Sequence, residues 1–211
     1  MHLNTLIVNC GNKDSDNWPG MVNDGSSSGD HRYRPWYNLG PGQELTLDGG
    51  ALVLMGGSRF GHQDGYVNEG NWYSNKPKDV YGGQCGTLHV PNTLYVYATG
   101  SESSPSQVWT PVFAPGGFVS AYYGFLRLGG SQTNIEDSVT VNSGTLALGS
   151  PDGTIPTTHQ VPVRVVGGNS VLQLDAPGSF TTHEATIDLE DVGGYPARVK
   201  MNVSDTIWEM S

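Results

Sequence analysis

The sequence predicts an all-β chain, an antiparallel β-sandwich of jelly-roll type, and three observations carry that expectation. Apolar and polar residues alternate at period two in segment after segment, the mark of half-buried strands. Clusters of Gly, Pro, Asn and Asp separate those segments at the spacing of hairpin turns. No stretch of twelve residues keeps an apolar stripe at the 3.6-residue period of a helix. A chain of 211 residues is long enough for one substantial core, and all-β domains of this size commonly form one unit. Residues 1–211 are therefore read as one domain, loop-rich over 1–117 and hairpin-rich over 118–211.

The elements follow in order. In "QELTLDG" Leu45 and Leu47 alternate with Glu44 and Thr46, and "ALVLMGG" follows after Asp48-Gly49-Gly50, which reads as a tight hairpin turn. "TLHVPNTLYVYATG" puts Leu94, Val96 and Ala98 on one face and Tyr95 and Tyr97 on the other, with Pro91 making it an edge, a bulge or two short strands. "FVSAYYGFLRLGG" is the most apolar run and the expected central strand. "SVTVNSGTLALGS" reads as a hairpin turning at Asn142-Ser143-Gly144, and "HQVPVRVVGGNSVLQLDAPG" as another turning at Gly167-Gly168-Asn169. "HEATIDLEDVGG" and "YPARVKMNVSDTIWEMS" supply the last strands. No internal repeat of fixed period is visible, which speaks against a propeller or a solenoid.

Composition narrows the function. Charged residues make up only 14% of the chain, 30 positions are Gly, and 20 acids stand against 10 bases for a formal charge of −10. A negative field disfavours nucleic acid, whose phosphates are held by many Lys and Arg, and disfavours anionic membrane. Cys10 and Cys85 sit in "NCGN" and "GQCGT", without the Cys-x-x-Cys spacing of zinc or thiol-exchange sites. "MHLNTLIVNCGN" lacks the basic start and long apolar run of a signal peptide, and no run approaches the roughly 20 apolar residues of a membrane helix. The expectation is a protein made in a host cytoplasm that leaves by assembly or lysis.

The richest chemistry lies in "NKDSDNWPGMVNDGSSSGDHRYRPWYN", residues 12–38. Asn12, Asp14 and Asp16 alternate like the first oxygen ligands of a calcium loop, but Asn17 and Asn23 stand where that loop needs its glycine and its bidentate glutamate. They are weak metal candidates, and calcium is the one cofactor suggested. "HRYRPWYN" gathers Arg32 and Arg34 with Trp36 and Tyr37, and residues 59–83 repeat the style with Tyr66, Trp72 and Tyr73. Planar rings and guanidinium groups suit contact with a partner, or stacking on a sugar. Against that stands the reading that these rings plug the ends of the fold. Catalysis has the least support: His62 and Asp64 in "GHQDG" lack further donors, and no Gly-x-Ser-x-Gly elbow is present.

The function expected from these features is a structural or assembly protein, a capsid-decoration, fibre or other surface subunit of a virion, meeting protein subunits and forming homo-oligomers. The alternative is a lectin-like carbohydrate-binding module using the loop aromatics. A jelly-roll hydrolase or isomerase stands third.

Overall fold

In the computed structural model of the chain the described residues are 1–9, 36–37, 39, 42–61, 86–132, 134–149, 157–158, 161–178, 186–204 and 210. The strands among them are β1 His2–Asn9, β2 Trp36–Tyr37, β3 Glu44–Met55, β4 Arg59–Phe60, β5 Thr87–His89 and β6 Leu94–Ala98. They continue with β7 Ser106–Val108, β8 Val112–Phe113, β9 Phe118–Ala121, β10 Phe125–Leu128, β11 Gly130–Ser131 and β12 Val139–Val141. The last are β13 Thr145–Leu148, β14 Thr157–Thr158, β15 Val163–Val166, β16 Val171–Leu174, β17 Ile187–Glu190 and β18 Arg198–Met201.

Every pairing between these strands is parallel, which overturns the expected antiparallel sandwich and jelly roll. One sheet runs β17-β15-β12-β9-β6-β3-β5-β8 with β1 beside β3; the other runs β18-β16-β13-β10-β7-β4-β2. The chain alternates between the two, and each circuit lies in register on the one before it. The seven strands of the second sheet mark seven coils of a parallel β-solenoid, in which each coil packs on its neighbours along one axis.

The solenoid also overturns the expectation of no repeat. Val139, Val163 and Ile187 occupy one row at steps of 24, whereas Phe118 precedes Val139 by 21 and Leu146 precedes Leu172 by 26. Uneven steps hide the period in the sequence.

The expected hairpins are corners between sheets. Gly144, Gly168 and Asn169 have φ of 71°, 64° and 64°, the backbone that a hairpin turn would also need. What separates the two is where the next strand's N–H groups go. Thr145 N donates to Gly124 O and Val171 N to Gly144 O, one coil back in each case and not across the turn. The expected central strand "FVSAYYGFLRLGG" likewise breaks at Tyr122-Tyr123-Gly124 into β9 and β10, which lie in different sheets. The Asp48-Gly49-Gly50 turn is a bend inside the continuous β3. A Cβ at Gly49 would lie 2.4 Å from Asn4 O, and one at Gly50 2.6 Å from Thr93 O. The bend lets Glu44–Thr46 pair with β5 while Ala51–Leu54 pair with β6. "TLHVPNTLYVYATG" divides at Pro91 into β5 and β6.

Inward side chains stack in rows. In the first sheet Leu94, Phe118, Val139, Val163 and Ile187 form one row; in the second Phe60, Val108, Leu128, Leu148 and Leu174 form another. All ten are buried. Each such side chain buried contributes roughly 1.5–3 kcal/mol, so the rows, not the corners, hold the coils together. Some of the polar side chains inside are bonded to backbone: Ser106 Oγ donates to Gly56 O at 2.6 Å, and Gln132 donates to Gly129 O at 2.9 Å and accepts from Val112 N at 3.1 Å. Among the described residues no helix is long and apolar enough to cross a membrane.

Candidate functional site

Because side chains alternate along each strand, every sheet has an outer face whose residues also line up in rows. The two outer faces differ in kind.

On the second sheet the outer row is Arg59, Gln107, Arg127, Ala147, Gln173 and Lys200. A buried charge pair sits on it. Arg127 and Asp175 are 4% and 6% exposed, and Arg127 Nη1 lies 2.7 Å from Asp175 Oδ2. Ala147 stands between them in the row, short enough for the guanidinium to pass, and Arg127 Nη1 also donates to Gly149 O. Gln173 Nε2 donates to both carboxylate oxygens of Asp175, at 2.9 and 3.0 Å, and Asn202 Nδ2 donates to Oδ1 at 2.6 Å. A carboxylate has about four acceptor positions, and all of them here are engaged. Asp175 is therefore a staple tying the fourth to seventh coils. On the neighbouring row Trp109 lies flat over Gly129, and its Nε1 donates to Gln107 Oε1 at 2.7 Å. Any side chain at 129 would collide with the indole.

The first sheet is open where the second is closed. Ile7, Val53, Tyr97 and Ala121 form one outward row, and Tyr95 and Val119 belong to the next. Tyr95 and Tyr97 are 44% and 41% exposed, Met55 is exposed at the strand end, and Ile7 is exposed on the edge strand β1. No charged side chain occurs among these residues. Among the described residues, charges flank the strip on two sides: Asp48 lies 3.3 Å from His2 and Glu44 3.8 Å from His89 toward the start of β3, and further along the sheet Arg164 pairs with Glu190 at 3.2 Å with Asp188 beside Arg164 in register. The strip adjoins the Tyr122–Tyr123 corner, since Ala121, the partner of Tyr97, directly precedes Tyr122.

The expected site residues fare unevenly. Arg32, Arg34, Tyr66, Trp72 and Tyr73 lie outside the described residues, as do Asn12, Asp14, Asp16, Cys10, Cys85, His62 and Asp64. Trp36 lies in β2, in register with Arg59. Tyr37 heads an inward row: half-buried, its ring stacks on Phe60 at 5.5 Å with the planes 5° apart. It closes the first coil of the core. Among the described residues no group of three or more His, Cys, Asp and Glu is arranged to hold a metal ion.

Period-two alternation sets Tyr95 and Tyr97 apart in the sequence, but two features are hidden there. Tyr122 and Tyr123 were absorbed into a strand that does not exist. Arg127 and Asp175 sit 48 residues apart, and only the coil register brings them together. A lone Arg inside the apolar "FLRL" was the available signal, since a charge there needs a partner. No known protein family, curated protein or solved structure matches the chain.

Proposed function

We propose that the chain is a structural, contact-making subunit that assembles with copies of itself, with the outer layer of a virus particle as its setting. The carrying observation is the uncharged strip of Ile7, Val53, Met55, Tyr95, Tyr97 and Ala121 on the open face of the first sheet. A chain of net charge −10 repels its own copies over most of its surface. Self-association is cheapest where charge is missing and apolar area can be buried, and the strip has both properties. An isologous contact, strip on strip, keeps Glu44 and Asp48 at one rim and the Arg164–Glu190 pair with Asp188 at the other, where charges cost little.

Light scattering behind size exclusion at rising concentration tests this. The parent chain should form a defined oligomer, and Val53→Glu and Tyr97→Glu should reduce it to monomer with an unchanged circular dichroism spectrum. A parent that stays monomeric at every concentration, or a Val53→Glu chain that assembles like the parent, would refute the reading. Recovery with purified particles then tests the virion setting.

A further inference from the structure

Beyond self-assembly, we infer that the Tyr122–Tyr123 corner is a binding site for a neutral sugar ring of a glycan, with Asn142 of the next coil as its polar partner. Three observations converge on it. Tyr122 has φ of 86°, a strained region for a bulky side chain, while at the same edge of later coils Gly144, Gly168 and Asn169 take the positive-φ positions. Stability alone would favour Gly or Asn there, and strain that persists at an exposed residue points to use.

The rings are also displayed and not packed away. Tyr122 and Tyr123 are 55% and 80% exposed, with ring centroids 5.9 Å apart and planes at 60°. An edge-on pair of this kind leaves ring faces free for the apolar face of a pyranose, and each phenol adds a donor and an acceptor at its rim.

The surroundings are polar and uncharged. A Cβ at Gly144 would meet Tyr122 O at 2.7 Å, and one at Gly124 would meet Thr99 Cα at 2.8 Å, so the corner is stacked between Thr99 on one side and Asn142-Ser143-Gly144 on the other. Asn142 is exposed, and its backbone N–H donates to Ser120 O at 2.9 Å. Tyr, Ser, Asn and Gly together are the residues of adaptable recognition surfaces. With no basic residue at the corner among the described residues and a net charge of −10, acidic sugars are disfavoured, which leaves neutral ones.

Saturation-transfer NMR and calorimetry with cellobiose, maltose and lactose test the site, with sialyllactose as the acidic control. At least one neutral disaccharide should bind with Kd on the order of 1 mM, receive saturation from tyrosine ring protons, and outcompete sialyllactose. Tyr123→Ala should weaken it roughly tenfold or more. Tyr122→Asn, which copies Asn169, should abolish binding while leaving the melting temperature equal or higher. The inference is overturned if none of the three disaccharides binds, or if Tyr122→Asn lowers the melting temperature and leaves sugar affinity intact. It is also overturned if either variant changes the oligomeric state without changing sugar binding, since the corner would then be a protein contact. The strip variants Val53→Glu and Tyr97→Glu should keep sugar binding, so failure of the assembly reading and failure of this one can be told apart.

Discussion

Replacing Asp175 by Ala should be among the most damaging single changes in the described structure, although it touches no inward row. It removes the partner of Arg127, a guanidinium 4% exposed, and leaves it with Gly149 O as its remaining acceptor on this face. It also strips the acceptor from Gln173 Nε2 and from Asn202 Nδ2. Breaking a buried pair from one side costs about 3–5 kcal/mol, because the remaining charge stays desolvated without compensation. For a chain of this size that corresponds to a fall in melting temperature of roughly 6–20 °C.

The same reasoning fixes what a compensating change should do. Removing the charge as well, in Arg127→Met with Asp175→Leu, should recover part of that loss, since a buried pair and a packed apolar pair come out nearly even, while Gln173 Nε2 and Asn202 Nδ2 still lack their acceptor. Urea unfolding of the parent, both single variants and the double variant closes the cycle. Hydrogen exchange adds location: amides of β13, β16 and β18 should lose protection before those of β3 and β6, because a solenoid can open from one end. A single-variant cost below about 1 kcal/mol, or costs that simply add, would mean that Asp175 is not the staple the geometry indicates.

Two further outcomes follow from the coil stacking. Gly129→Ala should destabilise the chain by about 1–3 kcal/mol, since its Cβ would lie 1.9 Å from Trp109 Cζ3; an unchanged melting temperature would show that the indole does not rest there. Cys introduced at Thr140 and Arg164, register partners on β12 and β15, should cross-link on oxidation in a Cys10→Ser, Cys85→Ser background, because neighbouring strands lie about 4.8 Å apart; a link from a Cys at 164 to one at 172, which would face it across a turn at 167–169, would restore the hairpin.

Strand positions were legible in the sequence, and strand partners were not. The alternation of Leu94, Val96 and Ala98 with Tyr95 and Tyr97 matches the buried and exposed pattern of β6. That signal depends only on the pleat, which is the same in parallel and antiparallel sheets. The direction of the partner is set at the turn, and there the local chemistry is ambiguous. Asn142-Ser143-Gly144 satisfies the demand of a hairpin for positive φ and meets that of a solenoid corner equally well. Recurrence from coil to coil would have decided between them, but steps of 21, 24 and 26 blur it. The first three coils lie further apart along the sequence, which conceals that β1, β3 and β6 occupy one sheet.

For the site the difficulty is of another kind. Rings among Asn and Asp suit recognition, yet Tyr37 stacks on Phe60 at the end of the core. Two well-exposed rings, Tyr122 and Tyr123, lie inside the most apolar run of the sequence, "FVSAYYGFLRLGG". Hydropathy averages over a corner that turns two side chains outward, and the outward turn is visible only in the φ of Tyr122. A solenoid makes this economical. Its rows fix every inward residue by its neighbours above and below, whereas a corner residue touches only the adjacent corners. Two aromatic residues at one corner of the fourth coil can therefore be added or removed with little consequence for the rows of the core. Strain is confined to that corner, and so is the function inferred for it.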